Sequence, residues 1–121
     1  MKKIIFLEDM PISWTSNSRN QSANGSFLFT LTNIHGTAPT KYPNTQNYDK
    51  AVYHYSGYGP VFGGNYDLYI CSNYLNNTSS YASLGYSYPD VLGKGNSIFS
   101  GDNNNNNHFK LKELEVFKIL N

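Results

Sequence analysis

The fold of this chain of 121 residues is decided by one stretch, Gly59-Pro60-Val61-Phe62-Gly63-Gly64-Asn65-Tyr66-Asp67-Leu68-Tyr69-Ile70. From Tyr66 to Cys71, apolar and polar side chains alternate, so that Leu68 and Ile70 share a face with Tyr66. A period of two is typical of a half-buried β-strand. The glycines before it favour a tight corner, because glycine tolerates positive φ and the close approach of another strand. The stretch therefore predicts a strand that is entered through a glycine turn.

Two runs nearer the N-terminus show the same alternation, residues 26–32 and residues 50–55. The side chains that would share a face are Phe27, Phe29 and Leu31 in the first run and Val52 and His54 in the second. Successive side chains of a strand point to opposite faces, so each run predicts one face for the interior and one for the surface.

The segment 109–120 alternates too, but its phase slips by one residue between Leu111 and Leu114. Such a slip predicts a β-bulge near Lys112 or Glu113. The spacing of the apolar residues also leaves a helix open as an alternative. Its content of Phe, Val and Ile and the lack of a capping box favour the strand.

Gly and Pro clusters separate these runs, and no segment has a clear amphipathic helical pattern. This organisation predicts a mainly β fold, an antiparallel two-sheet β-sandwich with few or no helices. Residues 1–121 are expected to form a single domain, in which the Asn-rich segment 102–107 is a loop insertion before the last strand.

Composition and charge argue against several functional classes. With a formal net charge of +1 and nine scattered Lys and Arg residues, the chain lacks the basic patch that nucleic-acid binding needs. Cys71 is the single cysteine, which rules out an intrachain disulfide and fits a reducing compartment. The apolar run at residues 4–7 is too short for a signal peptide, and no stretch approaches the ~18 apolar residues of a membrane span. These features predict a cytoplasmic protein without direct membrane insertion.

The quoted stretch closely resembles the central signature of the TLDc domain family, together with the Ser72-Asn73 and Ser79-Ser80-Tyr81 that follow it. Upstream, Trp14 and residues 26–33 are similar to the family's tryptophan and its "FLFxL" strand. Downstream, residues 84–89, Gly101 and residues 109–117 resemble the segments that end in its closing strand. The resemblance covers about residues 11–121.

The N-terminal end departs from the family pattern. Residues 5–9 stand where family members carry a glycine-rich turn, and the helical segments and strands that precede this turn in the family have no counterpart. The resemblance therefore implies a partial domain and a truncated sandwich. Some apolar strand faces or edges are then expected to lack the cover they have in a complete domain.

The resemblance also implies a function. TLDc proteins are linked to oxidative-stress resistance, and related members bind the cytosolic sector of the vacuolar proton-pumping ATPase and alter its assembly. We therefore expect a non-catalytic protein-binding module in the cytoplasm, with no cofactor and no small-molecule substrate. An inactive domain fragment stays open as an alternative.

The signature and the closing strand supply the residues expected to matter for binding. They are Gly59, Pro60, Phe62, Gly63, Gly64, Asp67, Ser72, Asn73, Ser80, Glu113 and Glu115. The glycines lack the Lys and Ser/Thr of a phosphate loop, so they are interpreted as structural. Tyrosines suit an interface because they are amphipathic, and those expected at the surface are Tyr53, Tyr55, Tyr58, Tyr86 and Tyr88.

A catalytic role is the alternative to binding. A redox or hydrolytic enzyme could use Cys71, or Ser80 with Glu115, but Ser80 lacks a nucleophile elbow and no Lys, Arg or His flanks Cys71. The histidines and Cys71 stand singly in the sequence, without the paired spacing of metal ligands. The sequence thus predicts no catalytic residues and no metal site.

Overall fold

The computed structural model of the chain describes residues 3–8, 18–23, 25–102 and 107–118. Within these residues it has ten strands, β1 Lys3–Glu8, β2 Arg19–Gln21, β3 Phe27–Thr30, β4 Thr40–Pro43, β5 Val52–His54, β6 Val61–Phe62, β7 Leu68–Tyr69, β8 Ser80–Ala82, β9 His108–Phe109 and β10 Glu113–Lys118. Helical structure there is limited to a 3-10 turn at Tyr48–Lys50 and one α-helical turn, α1, at Ser97–Ser100. Trp14 and residues 103–106 of the Asn-rich segment lie outside the described residues.

The main sheet has six antiparallel strands in the order β2-β5-β6-β7-β8-β9. Its inner face carries a cross-strand row, because the register pairs Val52 with Phe62, Phe62 with Leu68, and Leu68 with Ala82. All four side chains are buried. Strands β5 to β8 are neighbours both in sequence and in the sheet. The turns that connect them therefore determine how this part of the sheet pairs.

The second sheet is the antiparallel pair β3–β4, which packs onto the inner face of the first. Leu28 and Tyr42 lie opposite each other in its register, and both belong to the same buried cluster as the cross-strand row. The Tyr42 ring meets Phe99 of α1 edge-on, with centroids 5.2 Å apart. The prediction of a mainly β, antiparallel two-sheet sandwich with few helices is confirmed for the described residues.

The outer face of β3 is where that sandwich lacks cover. Leu28 and Thr30 point inward, whereas Phe27 is 38% exposed and Leu31, just beyond the strand, is 54% exposed. Lys41 lies over the Phe27 ring, with its Nζ 4.0 Å from the ring centroid. The face predicted from Phe27, Phe29 and Leu31 exists, but it is the face that points away from the core.

The end of the chain differs from the expected bulged strand. Residues 109–120 do not form one strand, because β9 ends at Phe109 in the main sheet and β10 begins at Glu113 in a separate pair with β1. The intervening Leu111 is buried, so the link itself contributes to the core. The phase slip near Lys112 therefore marks a change of sheet and not a β-bulge.

The β1–β10 pair is parallel, with Lys3 opposite Glu113 and Glu8 opposite Lys118. The sequence predicts no strand in this N-terminal segment, whose residues 5–9 stand in the place of a turn, so β1 is an addition to the predicted fold. Its partner is the closing strand at the other end of the chain, and no local pattern signals such a distant pairing.

Two other runs refine the predicted strands. The segment 50–55 contains β5, in which Val52 and His54 share one face, as predicted, and the structure buries that face. Within the segment 66–71 the strand is limited to Leu68–Tyr69. Tyr66 adopts φ 59° and belongs to the turn that precedes β7. Tyr66 therefore leaves the face of Leu68, to which the alternation assigns it.

Candidate functional site

The glycines of the signature fit places where a side chain has no room. A Cβ atom on Gly59 would overlap the backbone carbonyl of Ile70, whose N–H donates to the Pro60 carbonyl over 2.9 Å. Gly63 adopts φ 84°, and a Cβ there would overlap the Asp67 carboxylate. The prediction that the glycines provide backbone freedom and close approach is confirmed at both positions.

Asp67 is fully buried and is the acceptor at the centre of this corner. Its Oδ2 accepts backbone N–H groups from Gly85 at 3.1 Å, Tyr86 at 3.0 Å, Ser87 at 3.0 Å and Tyr88 at 3.0 Å. Four consecutive amides thus converge on one carboxylate, in the manner of an anion-binding nest whose anion is supplied by the protein. Gly59, Gly63, Asp67 and the backbone of residues 85–88 are called here the Asp67 corner.

Burial raises the pKa of the Asp67 carboxyl above its ordinary value, and the four amide donors partly offset that effect because they favour the ionised form. Because the Asp67 side chain is fully buried, its carboxylate cannot contact a partner directly. The role predicted for Asp67 in partner binding can therefore operate only through the conformation of the 85–88 loop.

Further hydrogen bonds fix that loop to the rest of the sheet. Ser87 Oγ accepts the N–H of Gly64 at 3.2 Å and donates to the Lys50 carbonyl at 3.1 Å. The buried Tyr88 hydroxyl donates to the Ala51 carbonyl at 2.8 Å. The expectation that Tyr88 lies at the surface is therefore wrong, because its ring and hydroxyl are used inside the fold.

Cys71 and Ser80 are brought together just beyond the C-terminal end of β7, whereas Asp67 lies at its N-terminal end. Ser80 Oγ donates to Cys71 Sγ at 3.3 Å and accepts the Cys71 N–H at 3.0 Å, and the thiol donates to Asn77 Oδ1 at 2.9 Å. Cys71 is 4% exposed and Ser80 is fully buried. This chain of hydrogen bonds closes the turn between β7 and β8, so its evident role is structural.

The remaining predicted residues are dispersed. Phe62 is buried in the core, while Ser72 and Asn73 are exposed in the turn after β7. Glu113 and Glu115 share a face of β10, in a different sheet from Ser80. The structure does not assemble Ser80 and Glu115 into one site, and their predicted binding roles stay predictions.

A layer of tyrosines, some half-buried and some exposed, lies on the outer face of the main sheet. We call it the tyrosine face, and its members are Tyr53, Tyr55, Tyr58, Tyr66, Tyr69 and Tyr81. Centroids of neighbouring rings lie between 4.7 Å, for Tyr55 and Tyr58, and 6.1 Å, for Tyr53 and Tyr66. At its far end Tyr81 contacts the His108 ring at 5.3 Å.

Sequence reasoning identifies half of this layer. Tyr53, Tyr55 and Tyr58 are expected at an interface, but Tyr66 and Tyr69 are assigned to strand faces without regard to their neighbours. The missing signal is the register, which pairs Tyr69 with Tyr81 across β7 and β8. Tyr86, by contrast, lies apart from the layer, where its hydroxyl accepts from Lys50 Nζ at 3.1 Å.

The described residues also show whether a metal-binding group or a membrane-spanning helix is present. No group of three or more His, Cys, Asp or Glu side chains in residues 3–8, 18–23, 25–102 and 107–118 could hold a metal ion. No helix in that same part of the chain is long and apolar enough to cross a membrane.

Comparisons with known proteins give one match. Residues 9–120 match the family described as TLDc domain, which is nearly the span of the sequence resemblance. No curated protein matches the chain, and no solved structure matches it. The matched span includes the Asp67 corner and the tyrosine face, and it leaves out β1.

Proposed function

We propose that this chain, which belongs to the TLDc domain family, is a non-catalytic module that binds a protein partner. The observation that carries the proposal is the division of its polar and aromatic groups. Asp67, Ser80 and Cys71 are buried and hydrogen-bonded within the fold, so they support its shape. The tyrosine face is left at the surface, and Tyr is a residue type enriched where proteins meet.

The family resemblance supports a finer proposal. The partner is the cytosolic sector of the vacuolar proton-pumping ATPase, and binding in the cytoplasm alters pump assembly and contributes to oxidative-stress resistance. A neutral, aromatic surface is suited to such an encounter, because it relies on contact area and not on charge attraction.

A binding measurement with purified components tests this proposal. The full chain is immobilised and the purified cytosolic sector of the pump is passed over it, with binding expected at micromolar concentrations or below. The matched control is the Gly63→Ala variant, which removes the fold and should remove specific binding. No binding of the wild-type chain at micromolar concentrations would contradict the proposed partner.

The geometry does not favour the enzymatic alternatives. The Cys71 thiol is 4% exposed and donates to Asn77 Oδ1, so it is held inside the fold and is not presented to a substrate. His54, the buried histidine of β5, could act as a base only from inside the core, and burial lowers its pKa below the ordinary value. Wild-type function after Cys71→Ser, in protein shown to be folded, is the expected result for a binding module.

The remaining alternative, an inactive fragment, predicts a different unfolding behaviour. A loosely packed fragment would unfold gradually and bind a hydrophobic dye in the absence of denaturant. We expect cooperative unfolding with coincident fluorescence and circular dichroism transitions, because both sheets share one buried cluster. Non-coincident transitions would support the fragment.

A further inference from the structure

The outer face of the main sheet is an ordered row of side chains. The strand register places one residue of each strand directly opposite the next, in the sequence Asn20, Tyr53, Val61, Tyr69, Tyr81 and His108. Val61 is fully buried although it lies on this outer face. Tyr58 and Tyr66 contact each other and the rings of the row on either side, which accounts for the burial of the smaller side chain.

The rings are arranged with their edges and faces alternating. Tyr53 and Tyr66 are nearly parallel, with an interplanar angle of 22°, whereas Tyr58 and Tyr66 meet at 80° and Tyr69 and Tyr81 at 69°. Tilted neighbours present a mixture of ring faces and ring edges, on which an apolar ring can pack. Tyr55 is 41% and Tyr58 is 38% exposed, so two of the rings are accessible.

The charge of this surface limits its ligand. Neither the row nor the tyrosine face contains Lys, Arg, Asp or Glu. Desolvation raises the pKa of Tyr66 to about 12 and raises the pKa values of Tyr69 and Tyr81, so these hydroxyls stay protonated donors. The fitting ligand is therefore uncharged, apolar in part, and rich in hydrogen-bond acceptors.

The dimensions match an extended proline-rich segment. Strands lie about 4.8 Å apart, so Tyr53 on β5 and Tyr69 on β7 are separated by roughly 9.6 Å along the sheet. A polyproline II helix advances about 3.1 Å per residue with three residues per turn, so its side chains return to one side every ~9.3 Å. Rings three positions apart in such a peptide would meet Tyr53 and Tyr69 in succession.

We propose that the tyrosine face docks a proline-rich segment of a partner protein in the polyproline II conformation. This proposal rests on the proposed protein-binding function and deepens it. Proline has no N–H and the helix has no internal hydrogen bonds, so its carbonyls are free to accept from tyrosine hydroxyls while its rings pack on tyrosine faces. Aromatic-lined surfaces bind proline-rich segments in this way in unrelated folds.

Other ligand classes fit the same surface less well. Nucleic acid and anionic membranes need basic groups, which the row lacks. An oligosaccharide presents donors as well as acceptors and is usually met by carboxylates or several amides, whereas the row offers Asn20 as its single amide.

The experiment titrates the full chain with decaproline blocked at both ends, followed by calorimetry and by chemical shifts of the tyrosine rings. A Gly-Ser peptide of equal length is the matched control ligand. Tyr58→Ala should weaken decaproline binding at least about ten-fold, as the loss of a central aromatic anchor does. Tyr48→Ala is the matched control variant, because Tyr48 is 60% exposed and outside the layer, and it should bind as the wild type does.

Several results would overturn the proposal. These are equal binding of the two peptides, equal affinity of the Tyr58→Ala and Tyr48→Ala variants, binding of an oligosaccharide but not of decaproline, or a dimer that Tyr58→Ala dissociates. Binding of the pump sector in the presence of decaproline distinguishes this docking mode from the broader proposal of protein binding. If the sector binds the chain while decaproline neither binds nor competes, the docking mode is wrong and the protein-binding function stands.

Discussion

The Asp67 corner and the tyrosine face lie on the same sheet but are built in opposite ways. In the corner, one carboxylate meets four amides at 3.0–3.1 Å, and the adjacent Gly63 leaves no space for a methyl group. In the tyrosine face, rings touch through centroid distances of 4.7–6.1 Å, and Tyr58 keeps over a third of its surface exposed. A substitution in the corner removes directional hydrogen bonds completely, whereas a substitution in the tyrosine face reduces the area of ring contact by degrees.

The comparison separates stability from binding. Residues of the corner should govern unfolding and have no direct role in partner contact, and residues of the tyrosine face should do the reverse. A corner variant that stays folded and yet loses partner binding, or a tyrosine-face variant that loses as much stability as the corner variants do, would break this separation. The variants below are ordered by the size of the effect expected on the free energy of unfolding.

Gly63→Ala should have the largest effect. The new Cβ would collide with the Asp67 carboxylate at a positive φ, so either the turn or the four amide bonds must give way. We expect a loss of at least about 4 kcal/mol, which removes most of the stability of a small domain. Urea denaturation measures it, with the variant unfolded or nearly so in buffer.

The control for this variant is Gly36→Ala. Gly36 has φ 65°, but no atom lies within 4 Å of the position that an alanine methyl group would take, so it tests the backbone cost alone. That cost should be about 1 kcal/mol. Equal losses at the two glycines would show that the carboxylate contact contributes nothing.

Asp67→Asn should follow. The amide oxygen can take the position of Oδ2, but the NH₂ group then replaces the Oδ1 that accepts from Ser87, and the charge that attracts four N–H dipoles is gone. We expect a loss of about 3 kcal/mol. Denaturation with urea, compared at equal slopes, gives the value. Asp49→Asn, in the exposed 3-10 turn, should change stability by less than about 0.5 kcal/mol, and a similar effect of both variants would contradict the central role of Asp67.

Much of the sandwich could be predicted from the sequence, because period-two patterns depend on burial of one face. The pattern places Val52 and His54 on one shared face, and that face is buried in the structure. The same pattern fails for Tyr66, since a left-handed turn at φ 59° interrupts the strand and a non-glycine residue gives no sign of it. The period-two pattern also does not indicate that the apolar face carrying Phe27 points outward.

The interior of the corner could not be predicted, because its partners are distant. Asp67 stands at a polar position of an alternating run, which normally indicates solvent. Its amide donors come from residues 85–88, and the residue types in that segment do not indicate a buried carboxylate as their partner. The tyrosine face is hidden for the same reason, since pairing of Tyr69 with Tyr81 depends on register and not on composition.

Tyr88→Phe should cost less than the corner variants. It removes the hydrogen bond from the buried hydroxyl to the Ala51 carbonyl and the contact with Ser26 Oγ at 3.1 Å. The Ala51 carbonyl still accepts the N–H of Gly63 at 2.8 Å, so it is not left unsatisfied. We expect a loss of about 1 kcal/mol by urea denaturation. Tyr48→Phe, at an exposed position, serves as the control and should leave stability unchanged.

The smallest effect concerns the tyrosine face and appears only at high pH. Burial, followed by the hydrogen bond to Tyr58, raises the pKa of Tyr66 from 10.0 to about 12 in the folded chain. The folded state therefore holds this proton more tightly than the unfolded state does. The stabilisation is complete below pH 10.0 and is lost as the pH rises through about 12.

Tyr66→Phe removes this titration. Stability of the variant should fall less steeply between pH 10.0 and about 12 than that of the wild type. In folded protein, the difference in phenolate absorbance between wild type and variant should develop near pH 12. If that difference develops near pH 10.0 instead, Tyr66 is solvated as in a free peptide, and the layer is too open to hold the ordered rings on which peptide docking depends.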